Sequence, residues 1–159
     1  MVTQSRAGAS CFAFSVALCS LLLAGGASAQ TTPSDNTQTV PNDFAQEVMI
    51  KSMISALSDA IITDDYSVFR AQLAKPFQDA YSSDQLKATF KPLAVQDAYM
   101  GVALAMKPIP TEAAKIDSDG VLDLNGYFDT NPSKIKYDLK FIPADGGWKP
   151  IGVNINLGP

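Results

Sequence analysis

The spacing of apolar residues changes once along this chain, at Pro108 and Pro110. Upstream they recur every three or four residues; downstream they alternate. The first spacing belongs to a helix with one buried stripe, the second to a strand with one buried face. Neither element is stable until its apolar side is covered, and the two halves of this chain can cover each other. The chain therefore reads as α+β, with N-terminal helices packed on a curved antiparallel sheet.

Downstream, "VLDLNGYF" places Leu122, Leu124 and Phe128 on one face, with Asp123, Asn125 and Tyr127 opposite. "KIKYDLKF" sets Ile135, Tyr137, Leu139 and Phe141 against Lys136, Asp138 and Lys140. "KPIGVNINL" sets Ile151, Val153, Ile155 and Leu157 against Gly152, Asn154 and Asn156. "PADGGW" joins the last two strands as a hairpin turn, with Gly146 and Gly147 expected to supply the unusual φ.

Upstream, "DFAQEVMIKSMISALSDAIITDD" carries a wide helical stripe through Phe44, Val48, Ile50, Ile54, Leu57 and Ile61, and Asn42 or Asp43 can cap it. "YSVFRAQLAKPFQDAY" follows Asp64 and Asp65, with Pro76 expected to end or kink it. Ser82 or Ser83 opens "DQLKATFKPL", with Leu86, Phe90 and Leu93 inward and Pro92 limiting its length. "AVQDAYMGVALAMKPIP" is open between helix and strand.

The first residues are set apart from the fold. Arg6 is the only charged side chain before residue 35, and "CFAFSVALCSLLLA" is too short to span a bilayer comfortably. Ala27-Ser28-Ala29 has the small-x-small form of a cleavage site, so residues 1–29 read as a signal peptide cut after Ala29. Leu18 before Cys19 argues against a lipid-attachment site. Residues 30–42, polar and holding Pro33 and Pro41, read as a flexible leader, and residues 43–159 as one domain. The expected location is the periplasm or the exterior, with no stable membrane insertion after cleavage.

Cys11 and Cys19 both lie in the removed segment, so the mature chain must rely on its core and not on disulfides. Losing Arg6 leaves 11 basic against 16 acidic side chains, a net charge of −5. That balance argues against nucleic acid, which rewards clustered Lys and Arg. Arg70 is the one arginine left; a surface salt bridge to Asp64 or Asp65 is its expected role.

"KIDSDGVLDLNGYFDT" looks at first like a calcium loop. With Gly120 at the sixth position, positions 1 and 12 fall on Lys115 and Gly126, which cannot ligate. With Asp117 first, Leu122 takes the glycine position and Phe128 the twelfth. Both registers fail. Asp119-Gly120 reads instead as a hairpin turn, with Asp123 on the wet face of the next strand. There is no histidine. Ser-His and Cys-His pairs are therefore excluded, and zinc, copper or haem through histidine or cysteine is excluded for the mature chain. No glycine-rich phosphate loop occurs. No metal and no cofactor is expected, and acid-base work would rest on Asp, Glu, Tyr or Lys.

The long first helix, "DDYSVFRAQLAKPF", "SSDQLKATFKPL" and "GVLDLNGYF…IKYDLKFIPADGGWKPIGVNI" resemble, over residues 43–157, the nuclear transport factor 2-like superfamily, with its cone-shaped cystatin-like roll. Small exported bacterial members of unknown function share the "ADGGWKPIGV" ending. The resemblance implies a concave face able to hold a small apolar ligand, and a homodimer through the open face of the sheet. Enzymes of that superfamily, such as ketosteroid isomerase and scytalone dehydratase, place Asp, Tyr or His in the cone. None of those residues maps onto a position here, so no catalytic residue is assigned. Tyr66, Phe69, Tyr137, Phe141 and Trp148 are the expected ligand contacts. Tyr137 is open between lining a pocket and a satisfied core role, and Trp148 is expected to pack at the hairpin. Three functions are carried forward: a non-catalytic small-molecule-binding or accessory domain, a carboxylate/tyrosine isomerase or hydratase, and a structural interaction module.

Overall fold

The computed structural model describes residues 38–95 and 100–158. The segment read as a signal peptide, its expected cleavage site and residues 30–37 of the expected leader lie outside the described residues. Among the described residues four helices precede a five-stranded antiparallel sheet, an α+β arrangement. The helices are α1 (Asp43–Thr63), α2 (Ser67–Gln72), α3 (Lys75–Ala80) and α4 (Ser83–Val95), followed by a 3₁₀ turn, Met100–Ala105. The strands are β1 (Ile109–Pro110), β2 (Lys115–Ile116), β3 (Leu122–Phe128), β4 (Lys134–Ala144) and β5 (Gly147–Gly158). Among the described residues no helix is long and apolar enough to cross a membrane.

The side-chain oxygen of Asn42 accepts the Ala45 N–H at 2.9 Å, which caps α1. Gln46 donates back to the Pro41 carbonyl at 2.7 Å, so the last leader residues are tied to the helix. Ile50, Met53, Ile54, Leu57 and Ala60 are buried in the core that the helices and the sheet share. The stripe is narrower than the sequence implies: Phe44 is 76% exposed and Val48 is exposed too. In the first two turns of α1 the side that carries Phe44 and Val48 is left uncovered by the described residues.

The second helical segment is two short helices. Leu73 is extended and Ala74 donates its N–H to the Pro150 carbonyl at 2.7 Å, so the helix has already ended when Pro76 opens α3. Arg70 does not pair with Asp64 or Asp65. Its guanidinium donates to the Tyr81 carbonyl at 2.7 Å and to the Gln78 carbonyl, satisfying the end of α3. Ser82 and Gln85 form a reciprocal capping box at the start of α4. Pro92 does not stop that helix, which continues to Val95. Its missing N–H falls on the exposed side, where water can take the freed Ala88 carbonyl.

The strand order is β1-β3-β4-β5, with β2 also on β3. Leu122, Leu124, Phe128, Ile135, Tyr137, Leu139, Phe141 and Ile155 form one core with the helices, and Trp148 packs partly buried against it. The "KIDSDG" segment is a hairpin turn. Asp117 accepts the N–H groups of Asp119 and Val121, both at 2.9 Å, and Gly120 takes φ +78°. Asp123 does lie on the face opposite the core, but it is only 8% exposed rather than wet. Lys140, opposite it on β4, donates to its carboxylate at 2.5 Å; that hydrogen bond holds the Lys140 ammonium above the usual lysine range.

Two local expectations shift by one residue. The β4–β5 turn has positive φ at Asp145 and Gly146, so it is a two-residue primed turn, and Gly147 already belongs to β5. Ile151 is not in step with Val153 and Ile155. The register jumps from Lys140↔Gly152 to Phe141↔Pro150, so Ile151 is the extra residue of a bulge. Beyond it Pro150 and Trp148 take the core side of β5.

Candidate functional site

A cleft of about 270 Å³ opens where the first turns of α1 meet the edge of β3. Its volume lies near the low end of small-molecule sites, about 300–1,000 Å³. Asp43, Gln46, Glu47 and Ile50 face it from α1, the i, i+3, i+4, i+7 spacing of one helix face. The other wall is an interrupted edge strand. β1 pairs with β3 at Tyr127 and Gly126, and β2 resumes at Asp123 and Leu122. Thr111 still donates to the Asn125 carbonyl at 3.0 Å; the chain then leaves the ladder until Lys115. Pro110 has no N–H for the ladder, so the break begins where pairing is weakest. Glu112 and Ala114 line the resulting mouth, with Lys107 and Pro108 beside them.

Tyr137 forms the floor. It is 4% exposed, on the core face of β4, directly opposite Gly126 on β3. A Cβ at residue 126 would approach the Tyr137 hydroxyl and the Ile109 carbonyl closer than 3.0 Å, so only glycine lets the ring lie across this strand. The hydroxyl has no hydrogen-bond partner among the described residues. No side-chain polar atom among them is both sealed and unpartnered, so solvent reaches this hydroxyl through the cleft. Burial pushes its pKa up to about 12. The phenol therefore stays protonated throughout the neutral range and can donate one hydrogen bond into the cleft.

The charges at the mouth are largely matched. Glu47 pairs with Lys51 at 2.7 Å, and Glu112 lies 3.5 Å from Lys115. The hydrogen bond from Lys51 and the field of Lys107 hold the Glu47 carboxyl below the usual range. Ile50, Pro108, Pro110, Ala114 and Leu124 give the cleft apolar walls.

The Tyr137 pKa fixes a pH dependence. The unfolded phenol ionises near pH 10 and the folded one near 12, so above pH 10 the unfolded chain releases the proton first. Stability is fully present below pH 10 and falls by up to about 2–3 kcal/mol as pH rises to 12. Urea unfolding between pH 9 and 12, compared with Tyr137→Phe, measures the difference. An identical decline in that variant would contradict the assignment.

A second groove, about 510 Å³ and more open, lies between the C-terminal end of α1 and α4. Ile61, Ala88, Ala94 and Val95 line it with Tyr66, and Asp64 and Lys87 pair across it at 2.5 Å. Ile50 and Ile61 are eleven residues apart on one helix, so the two openings are separated by about 16 Å.

The five expected contacts do not converge. Tyr137 floors the first cleft and Tyr66 lines the second groove. Phe69 is core: it meets Tyr66 and Phe90 edge-on at 6.4 and 5.8 Å between ring centres. Phe141 is buried in the sheet core, and Trp148 packs partly buried against that core near the hairpin. Sequence reasoning passed over Gly126, Glu47, Lys107 and Glu112. Of these only Gly126 carries a signal, because a glycine inside an alternating strand marks a close approach. Among the described residues no group of three His, Cys, Asp or Glu side chains is placed to hold a metal. No family model matches the chain, and neither a curated protein nor a solved structure matches it.

Proposed function

We propose that this chain is a non-catalytic small-molecule-binding domain of an exported protein, acting in the periplasm or outside the cell, and that the Tyr137 cleft holds its ligand. The observation that carries this reading is a nine-tenths-buried tyrosine that lines a cleft with apolar and charged walls and whose hydroxyl has no hydrogen-bond partner among the described residues. Solvent reaches that hydroxyl through the cleft, and a ligand acceptor that displaces the water takes over its hydrogen bond. The ligand is small and mainly apolar with one hydrogen-bonding group, in keeping with the resemblance to the nuclear transport factor 2-like superfamily. The matched charges at the mouth give no net preference for an ion.

The isomerase or hydratase reading gains one point, since Asp43, Glu47 and Glu112 share the cleft with Tyr137. Against it, Glu47 is held ionised by Lys51, whereas an acid-base carboxyl at neutral pH needs its pKa raised. The purely structural reading fits the filled sheet centre around Leu122, Phe128, Leu139 and Phe141, and leaves the cleft without a purpose.

Native mass spectrometry of the mature protein, purified gently from its own host, tests the proposal. The expected result is extra mass on the folded protein that is lost on denaturation. Tyr137→Phe should hold the same molecule about 3- to 10-fold more weakly, the worth of one hydrogen bond. A bare protein mass, or a bound mass that Tyr137→Phe retains at full affinity, would reject this cleft as the site.

A further inference from the structure

The two edges of the sheet are treated differently. On the β3 side the edge consists of two-residue fragments, β1 and β2, separated by an excursion and marked by Pro110, Glu112 and Lys115. Short pieces, proline and charge are the usual means of keeping an edge from pairing with another chain. On the other side β5 runs for twelve residues, with only β4 as its partner among the described residues. Its first part is closed: Ala74 donates to the Pro150 carbonyl at 2.7 Å, and the bulge at Ile151 twists the strand there. From Gly152 to Gly158 the sequence is "GVNINLG", with no charge and no proline. Among the described residues nothing on that stretch guards the edge.

We infer that the free edge of β5, from Gly152 to Gly158, pairs antiparallel with the same edge of a second copy of this chain, making one continuous ten-stranded sheet. The segment is self-complementary about Ile155. A two-fold axis there sets Val153 against Leu157 of the second copy on the core face, both of them only partly buried in one chain. On the open face it sets Asn154 against Asn156 of the second copy, amide against amide. Within one chain Asn156 already donates to Asn154 at 2.8 Å, so these side chains lie along the strand at the right height. The open face is mostly polar: Asp123, Lys136, Asp138, Lys140, Asn154 and Asn156 project from it, with Tyr127 and Ile142 as its larger apolar groups. Backbone hydrogen bonds along an edge need no apolar face, since side-chain burial supplies only the register.

A seven-residue edge is a small interface, so the dimer forms in the micromolar range. Sedimentation of the mature protein from about 1 to 100 µM should show a monomer–dimer equilibrium. The double variant Asn154→Lys/Asn156→Lys places lysines directly opposite each other across the axis while leaving exposed positions exposed, and should shift the equilibrium to monomer by about 10-fold or more. Amide exchange of the unaltered protein gives an independent readout that does not depend on how the variant folds. Outward-facing amides between Gly152 and Gly158 should slow as concentration rises, with the rest of the sheet unchanged. A monomer throughout this range overturns the inference and leaves the edge to an extended segment of another protein. A dimer whose β5 amides do not respond to concentration, or that the double variant leaves intact, overturns it as well by placing the contact elsewhere.

Discussion

Gly126→Ala should close the cleft and destabilise the protein by about 2–4 kcal/mol. The new methyl has nowhere to go. On one side it meets the Ile109 carbonyl, part of the β1 backbone, and on the other the Tyr137 ring and hydroxyl. Backbone yields little, so the tyrosine must swing off the strand into the cleft or β1 must detach from β3. Either change removes the floor from which the hydroxyl is presented. Thermal unfolding gives the stability cost. The tyrosine absorbance titration gives the local one, because a displaced phenol regains water and its pKa falls from about 12 toward the ordinary value. A variant with unchanged melting and an unchanged high-pH tyrosine would show that the ring does not lie over Gly126.

Phe69→Ala should cost about 3–5 kcal/mol, a large share of the stability of a domain this size. Phe69 is 1% exposed and sits edge-on to both Tyr66 and Phe90, whose rings stack 6.4 Å apart. Removing it leaves a cavity under α2, a six-residue helix with little else to anchor it. The measurement is the denaturant midpoint with m unchanged. The outcome also separates two roles for this residue. A ligand contact would weaken binding with little loss of stability, whereas a core residue does the reverse. A loss below about 1 kcal/mol would return Phe69 to the list of ligand contacts.

The helices and β4 were legible because a one-sided environment leaves a periodic trace. Ile135, Tyr137, Leu139 and Phe141 alternate with Lys136, Asp138 and Lys140, and they are buried in that order. Ile50, Ile54 and Leu57 keep helical spacing and are all buried in the core. The trace failed where a local event broke the period. The bulge at Ile151 moves the core side of β5 onto Pro150, and Pro92 stays inside α4 because its exposed side lets water serve the freed carbonyl. Phe44 and Val48 keep the helical pattern although nothing in the described fold covers them.

The candidate site was only half legible. Tyr137 could be singled out as a polar group on an apolar face, since that conflict shows in the sequence alone. Its neighbours could not, because Glu47, Lys107, Glu112 and Gly126 come from four separate segments and share no spacing. Tyr66 and Phe69 illustrate the opposite error. Tyr66 caps α2 and Phe69 lies within it; both are buried in one aromatic cluster, and Tyr66 alone also borders a groove. Local pattern by itself determined the kind of element that α1, α4, β3 and β4 form and the face each buries, because hydrophobic burial acts on every residue of a strand or helix alike. Only the tertiary structure decided where a cleft opens and which edge stays free. Those depend on a few hydrogen bonds and close approaches between distant residues: the break after Thr111, the ring over Gly126, and the Ala74 N–H that closes just the beginning of β5.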